Sequence, residues 1–91
     1  MLVKAIKCNN CGDIIYSRAT HDFHWCSCKK TAIDGGFDYY RIIGNREDWE
    51  MAEVHVLDEK SDDEAKEILY KDYNFSINKY GTIKGNTDNI N

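Results

Sequence analysis

The chain has 91 residues, which is enough for one small domain whose core often needs a metal ion, a disulfide or oligomerisation for stability. Its 16 acidic and 12 basic residues give a net charge of −4, which argues against a non-specific coat for DNA or RNA. No apolar run has the length of a signal-peptide core or a membrane span, so we expect a cytoplasmic protein with no membrane partner.

The first half of the chain is typical of short strands separated by turns. Residues 2–7 alternate weakly and predict a first strand. Residues 13–18 and 23–28 predict two strands that a polar turn joins into a hairpin. The adjacent glycines after Asp34 indicate another turn, and the aromatic and β-branched residues at 37–43 predict the strand that follows it.

The second half contains one ambiguous segment and one clear helix. Residues 46–57 have apolar positions that fit either a helix or a strand, and the ending "EVHVL" favours a strand. Ser61 and Glu64 have the spacing of a capping box, so we expect a helix over about 61–73. Residues 75–83 predict a last hairpin that turns at "NKYG".

These elements predict a small α+β domain that is mainly β. We expect zinc-ribbon-like β-hairpins at residues 6–45, with one helix packed across them. The single zinc-stabilised domain would cover residues 1–83, and residues 84–91 would form a flexible tail because they lack periodic apolar positions.

All four cysteines lie in the first half, in a pattern that suits one metal ion. Cys8 and Cys11 form a C-x-x-C turn, and Gly12 favours it because such turns often need a positive φ at that position. Cys26 and Cys28 form a C-x-C pair, whose sulfurs share one face if the segment is extended. Four thiolates fit a closed, structural Zn²⁺ site.

Other uses of the four thiols stay open at this point. Two disulfides are disfavoured in a reducing compartment, and a redox C-x-x-C normally opens a helix, whereas here a strand-like run follows it. An iron–sulfur cluster also takes four cysteines. A catalytic metal site would need one cysteine to stand aside or a ligand from His21 or His24.

Two further motifs, "HDF" and "DGGFDYYR", are where a specific activity would have to lie. The histidine and the aspartates could contact a ligand, the glycines could form an anion-binding turn, and the aromatic and guanidinium groups could stack on a nucleotide. Ordinary turn and core roles for the same residues are the alternative. The candidate ligand-binding residues are His21, Asp22, Asp34, Gly35, Gly36, Tyr39 and Arg41.

The ordered series C-x-x-C-x-D-x-I-x-S, H-D-F, C-x-C and D-G-G-x-x-Y-x-R resembles a family of small, largely uncharacterised proteins of bacteria and their phages. The resemblance covers roughly residues 6–45 and departs from the family pattern at Lys29, where that pattern has glycine. It implies a zinc ribbon and a phage or mobile-element origin, and it implies no particular reaction.

The leading hypothesis is a non-enzymatic, zinc-stabilised protein, encoded by a phage or mobile element, that binds and modulates a host macromolecule. We expect that macromolecule to be a host protein, and an anti-defence role is one form of the hypothesis. Its contact surfaces would be the acidic segment at residues 47–53 and the helix from Asp62. The alternative is a nucleotide or small-ligand binder built on the "HDF" and "DGGFDYYR" residues. Nucleic-acid binding is disfavoured by the net charge, although five basic residues could gather near the metal: Lys4, Lys7, Arg18, Lys29 and Lys30.

Overall fold

The computed structural model describes residues 1–37 and 39–85, and within that part no helix is both long and apolar enough to cross a membrane. The predicted tail therefore lies outside the described residues from position 86 onward. The elements in chain order are β1 (Leu2–Cys8), β2 (Ile14–Ile15), β3 (His24–Trp25), β4 (Ala32–Asp34), β5 (Arg41–Ile43), a 3₁₀ turn (Arg46–Asp48), β6 (Trp49–His55), α1 (Asp62–Asn74) and β7 (Thr82–Ile83).

The strands form two antiparallel sheets. The first has the order β6-β1-β2-β7, and the second has the order β3-β4-β5. With α1 as the helix of the described chain, the prediction of a small, mainly β, α+β fold is confirmed. The strand prediction within residues 46–57 is also confirmed, because β6 pairs with the whole length of β1.

Strand β1 is the centre of the fold because both of its faces are covered. Ala5 and Ile6 are neighbours that point to opposite faces, and both are completely buried. Ala5 belongs to a core cluster that includes Leu69 of α1. Ile6 belongs to a second cluster, which includes Ile33 of the second sheet and two of the cysteines. The first sheet is therefore a middle layer between the helix and the second sheet.

Helix α1 begins where the capping box was predicted. The Glu64 backbone N–H donates to the Ser61 hydroxyl, and the Ser61 backbone N–H donates to the Glu64 carboxylate, each over 3.2 Å. These bonds satisfy donors that the first helical turn leaves free. Ala65 and Leu69, one turn apart, are both completely buried and attach the helix to the first sheet.

The predicted hairpin between residues 13–18 and 23–28 is wrong. Strand β2 pairs with β1 and β7, whereas β3 pairs with β4. The segment after β2 turns instead of extending, because the Ser17 hydroxyl lies 2.7 Å from the Ala19 carbonyl and 2.8 Å from the Asp22 carbonyl. Backbone captured in this way by a short polar side chain does not continue a strand.

Two other strand predictions are only partly right. The strand predicted over 37–43 begins at Arg41, and Asp38 lies outside the described residues. The hairpin predicted over 75–83 is reduced to β7, which pairs with β2. The reason lies in α1, where the Asp72 carboxylate accepts hydrogen bonds from the backbone N–H groups of Lys79 and Tyr80. Those N–H groups are then not available to a local ladder.

Arg18 joins the first half of the chain to α1 through buried ion pairs. Its guanidinium donates to Asp22 over 2.8 Å and to Asp72 over 2.7 Å, and all three side chains are almost fully buried. Loss of one partner from such a network costs about 3–5 kcal/mol, because the remaining charges stay buried. Arg18 is therefore occupied by internal contacts and does not contribute to a basic surface near the cysteines.

Candidate metal centre

The four cysteine sulfurs converge at one point between the two sheets. All four lie within 4.8 Å of one another, and Cys28 Sγ lies 3.6 Å from Cys8 Sγ and 3.5 Å from Cys26 Sγ. Four thiolates at about 2.3 Å from a tetrahedral zinc ion would be about 3.8 Å apart. The cluster therefore has the dimensions of a site for one metal ion, and shifts of up to about 1 Å in the sulfur–sulfur distances would give the tetrahedral arrangement.

Cys8 ends β1, and Cys11 lies in the tight connection from β1 to β2. The Cys8 N–H donates to the Asp13 carbonyl over 2.8 Å, and the Gly12 N–H donates to the Cys8 carbonyl over 2.9 Å. Gly12 has a φ of 81°, so the expected positive φ after the second cysteine is confirmed. The Asn10 N–H also points at Cys8 Sγ from 3.4 Å, which favours the thiolate form.

Cys26 and Cys28 lie in the connection from β3 to β4. The Cys26 N–H donates to the Thr31 carbonyl, and the Thr31 hydroxyl lies 3.3 Å from Cys26 Sγ. The prediction that Cys26 and Cys28 share one face of an extended segment is wrong, because Cys28 follows the end of β3 and lies in a turn. The turn itself brings the second sulfur back, and Lys29 takes a φ of 64° to complete it.

Asp13 connects the two cysteine loops, a role that the sequence reasoning missed. Its Oδ2 accepts hydrogen bonds from the N–H and the hydroxyl of Ser27, which lies between Cys26 and Cys28. Its Oδ1 accepts the N–H of Gly85 over 2.8 Å. These bonds outweigh its burial and hold the pKa of Asp13 below its usual value. The position of an aspartate two residues after a C-x-x-C was the signal that could have identified it.

The thiols influence the charge of one another. Burial opposes ionisation of Cys26, but hydrogen bonds from Thr31 and Cys28 outweigh it and lower its pKa to about 6. Burial and the hydrogen bonds to the neighbouring cysteines raise the pKa of Cys28 to about 12. One thiolate therefore forms easily, while further negative charge is unfavourable without a cation. A divalent metal ion supplies that positive charge.

The histidines have other partners than the sulfur cluster. His24 Nε2 lies 2.7 Å from the Thr82 hydroxyl, and its Nδ1 lies 3.4 Å from the Asp22 carboxylate. The His21 carbonyl accepts the Tyr73 hydroxyl, and the His21 side chain is exposed beside a groove of about 560 Å³ against α1. Among the described residues, the side chains placed to bind a common metal ion are thus the four cysteines.

The candidate ligand-binding residues are distributed over several environments. Asp22 is buried against Arg18, and although burial alone would raise its pKa, hydrogen bonds from His24 and Arg18 lower that pKa to about 2. Asp34 is also buried and accepts a 2.6 Å hydrogen bond from Arg41 across the β4–β5 hairpin. Both carboxylates therefore have cationic partners within the protein.

The two glycines of this set also make internal contacts, and the Gly35 carbonyl accepts the Tyr39 N–H over 3.5 Å. The Gly36 N–H donates to the Ser17 hydroxyl over 3.0 Å, which removes one donor from the proposed anion-binding turn. A Cβ at Gly36 would lie 2.7 Å from the Ala19 carbonyl carbon, so the loops are in close contact there. Tyr39 is half exposed and lines, with Gly36, a different groove from that of His21.

Asp13→Asn keeps the size of the side chain but leaves one carbonyl oxygen in place of two carboxylate oxygens. We expect the affinity for the metal to fall about 10–100-fold, since residues that orient metal ligands have effects of this size. Competition with a chromophoric chelator measures it. Asp48→Asn is the matched control, because the Asp48 carboxylate bonds only the exposed Asn10 side chain near the same loop. Equal affinities of the two variants would contradict the role of Asp13.

Lys29→Gly should make the metal-loaded protein more stable than Lys29→Ala, because Lys29 has a φ of 64°. A left-handed residue with a Cβ costs about 1–2 kcal/mol, and the greater chain entropy of glycine when unfolded offsets part of the gain. We expect the free energy of unfolding of Lys29→Gly to exceed that of Lys29→Ala by about 1 kcal/mol. Both variants lack the lysine charge, so the comparison isolates the backbone effect. Denaturant unfolding measures it, and equal stabilities would show that Lys29 is not strained.

Residues 1–44 match the family model of a domain of unknown function, DUF7695. The match covers 44 of the 91 residues, which is just under half of the chain, and it includes β1 to β5 and all four cysteines. Searches of curated proteins and of solved structures returned no significant match. The first half of the chain is therefore similar to an uncharacterised domain, in agreement with the resemblance that its motifs suggested.

Proposed function

We propose that the protein is a non-enzymatic, zinc-stabilised module that acts by binding a macromolecule. The observation that carries the proposal is the convergence of four cysteine sulfurs within 4.8 Å of one another. Four protein ligands fill a tetrahedral zinc ion and leave no position for water or substrate, which is the arrangement of structural sites. The role of the metal is then to hold the two sheets together.

Zinc suits the donor set better than the other ions that the sequence left open. Thiolates select zinc, copper(I) or iron–sulfur clusters, and four sulfurs within 4.8 Å of one another surround a single ion, which suits zinc. A zinc ion with four thiolates has a net charge of −2, which nearby cations stabilise. Lys29 lies in the second cysteine loop, and Lys84 reaches the same loop by donating to the Ser27 hydroxyl over 2.8 Å.

A binding role is supported by large apolar side chains on the surface. Phe23 and Trp25 stack with their ring centroids 5.6 Å apart, and 42% and 44% of their surfaces are exposed. Exposed aromatic residues are common anchors of protein interfaces. The acidic segment at residues 47–53 and the start of α1, the contact surfaces that the sequence suggested, are largely exposed as well.

The finer parts of the hypothesis remain predictions from the sequence. They are an origin in a phage or mobile element, a host protein as the partner, and an anti-defence role. Their support is the motif resemblance in the first half of the chain, together with the small size and acidity of the protein. The identity of the partner gives the most direct test of all three.

Purified protein should contain about one zinc ion per chain, and a chelator should lower its melting temperature substantially, since structural zinc contributes folding free energy directly. Elemental analysis and thermal unfolding by circular dichroism measure the two effects. Cobalt substitution should produce the visible bands of a tetrahedral thiolate site.

A variant with all four cysteines replaced by serine is the control and should not respond to the chelator. If the purified protein contains iron and inorganic sulfide in place of zinc, the four cysteines bind an iron–sulfur cluster instead. A metal-free protein with full stability would remove the proposal of a structural metal.

Tagged, zinc-loaded protein expressed in bacterial cells should co-purify with one macromolecule in a constant ratio. Phe23→Ser with Trp25→Ser should lose that partner while keeping the zinc content, because both rings are on the surface. Asp63→Asn with Glu67→Gln tests the acidic face of α1 in the same way. Mass spectrometry identifies the partner, and recovery of the protein alone under mild conditions would contradict the binding role.

A further inference from the structure

Strand β6 forms one edge of the first sheet, and its hydrogen-bonding pattern shows which of its residues point outward. The Val56 N–H donates to the Met1 carbonyl beyond one end of β6, and the Asn9 N–H donates to the Asp48 carbonyl beyond the other. In an antiparallel ladder every second residue bonds the same neighbour. The even-numbered residues of β6 therefore bond β1, and the odd-numbered residues turn their N–H and C=O groups away from it.

This outer edge has backbone groups without partners in the described part of the chain. The Trp49 carbonyl accepts the Arg46 guanidinium, whereas no bond is found there for the backbone N–H and C=O groups of Met51, Glu53 and His55. Soluble proteins usually protect an edge of this length with proline, charged side chains (lysine above all) or a bulge, and the charged residues of this edge are Glu50 and Glu53. Residues 49–55 contain neither proline nor lysine, and their register with β1 is continuous.

We propose that β6 pairs with β6 of a second copy of this chain, antiparallel, about a two-fold axis at Ala52. Met51 then lies opposite Glu53 of the other copy, and Trp49 lies opposite His55, so each outward backbone group without a partner meets a complementary one. The Trp49 carbonyl, which already accepts Arg46, would accept the His55 N–H with its second lone pair. The first sheets of the two copies join into one continuous sheet. A two-fold axis makes the contact self-complementary, since each pair of residues occurs twice.

The charges and the length of the strand select this register and a second copy as the occupant. A shift of the axis to Glu53 would place two glutamates opposite each other and shorten the ladder. An axis at Met51 would leave His55 unpaired. With the axis at Ala52 all seven residues of β6 pair, and no like charges are opposed. Glu53 and Glu50 have Lys4 and Lys7 as their register partners on β1.

The test compares two substitutions at Met51 in the zinc-loaded, full-length protein. Met51→Lys places a lysine opposite Glu53 of the other copy, and Met51→Glu places a glutamate there. Sedimentation equilibrium should show a dimer for the natural chain. The dissociation constant of the dimer should be about threefold to tenfold lower for Met51→Lys and higher by a similar factor for Met51→Glu. At concentrations where the chains are monomeric, both variants should have the same free energy of unfolding as the natural chain, because Met51 is 45% exposed.

Two further measurements locate the contact. Glu53→Pro removes an outward N–H without removing a bond to β1, so it should give a folded monomer. Hydrogen exchange should slow at the amides of Met51, Glu53 and His55 as the concentration rises. A natural chain that stays monomeric at millimolar concentration would overturn the proposal. So would a dimer that responds equally to Met51→Lys and Met51→Glu, because its contact would lie elsewhere.

Discussion

The convergence of four sulfurs from two separate hairpins is the constraint on which the rest of the structure depends. Cys8 ends the central strand of the first sheet, whereas Cys26 follows β3 of the second sheet. The apolar cluster between the sheets is small, and the two cysteines are themselves buried members of it. A metal ion at this point would replace apolar area that a chain of 91 residues cannot provide.

The opposite side of the first sheet is held by different chemistry. There α1 contributes Leu69 to the apolar cluster and Asp72 to the ion pairs with Arg18. Asp72 also takes two backbone N–H groups of the segment that leads to β7. The hydrogen bonds of a buried carboxylate to a guanidinium and to backbone N–H groups are directional. They therefore fix the orientation of the helix on the sheet as well as contributing to its stability.

The sequence allowed good predictions where a local rule decides the structure. The capping box of α1, the positive φ of Gly12 and the strand within residues 46–57 follow from short-range chemistry. The order of strands did not follow, because it depends on contacts between distant residues. Ser17 and Asp72 divert backbone groups from the hairpins that apolar patterns favoured. The role of Asp13 needed the position of Ser27, fourteen residues away, and of Gly85, seventy-two residues away.

The pairing of β1 has a consequence for how this protein can be divided. Residues 1–44 match a family model, yet the longest partner of β1 is β6, which lies beyond that segment. Arg18 and Asp13 likewise find partners at Asp72 and Gly85. We therefore expect that the matched segment of this chain would not fold on its own. On the same physical ground, a relative that shares only this segment is expected to carry its own strand beside β1 and its own partners for these two buried charges.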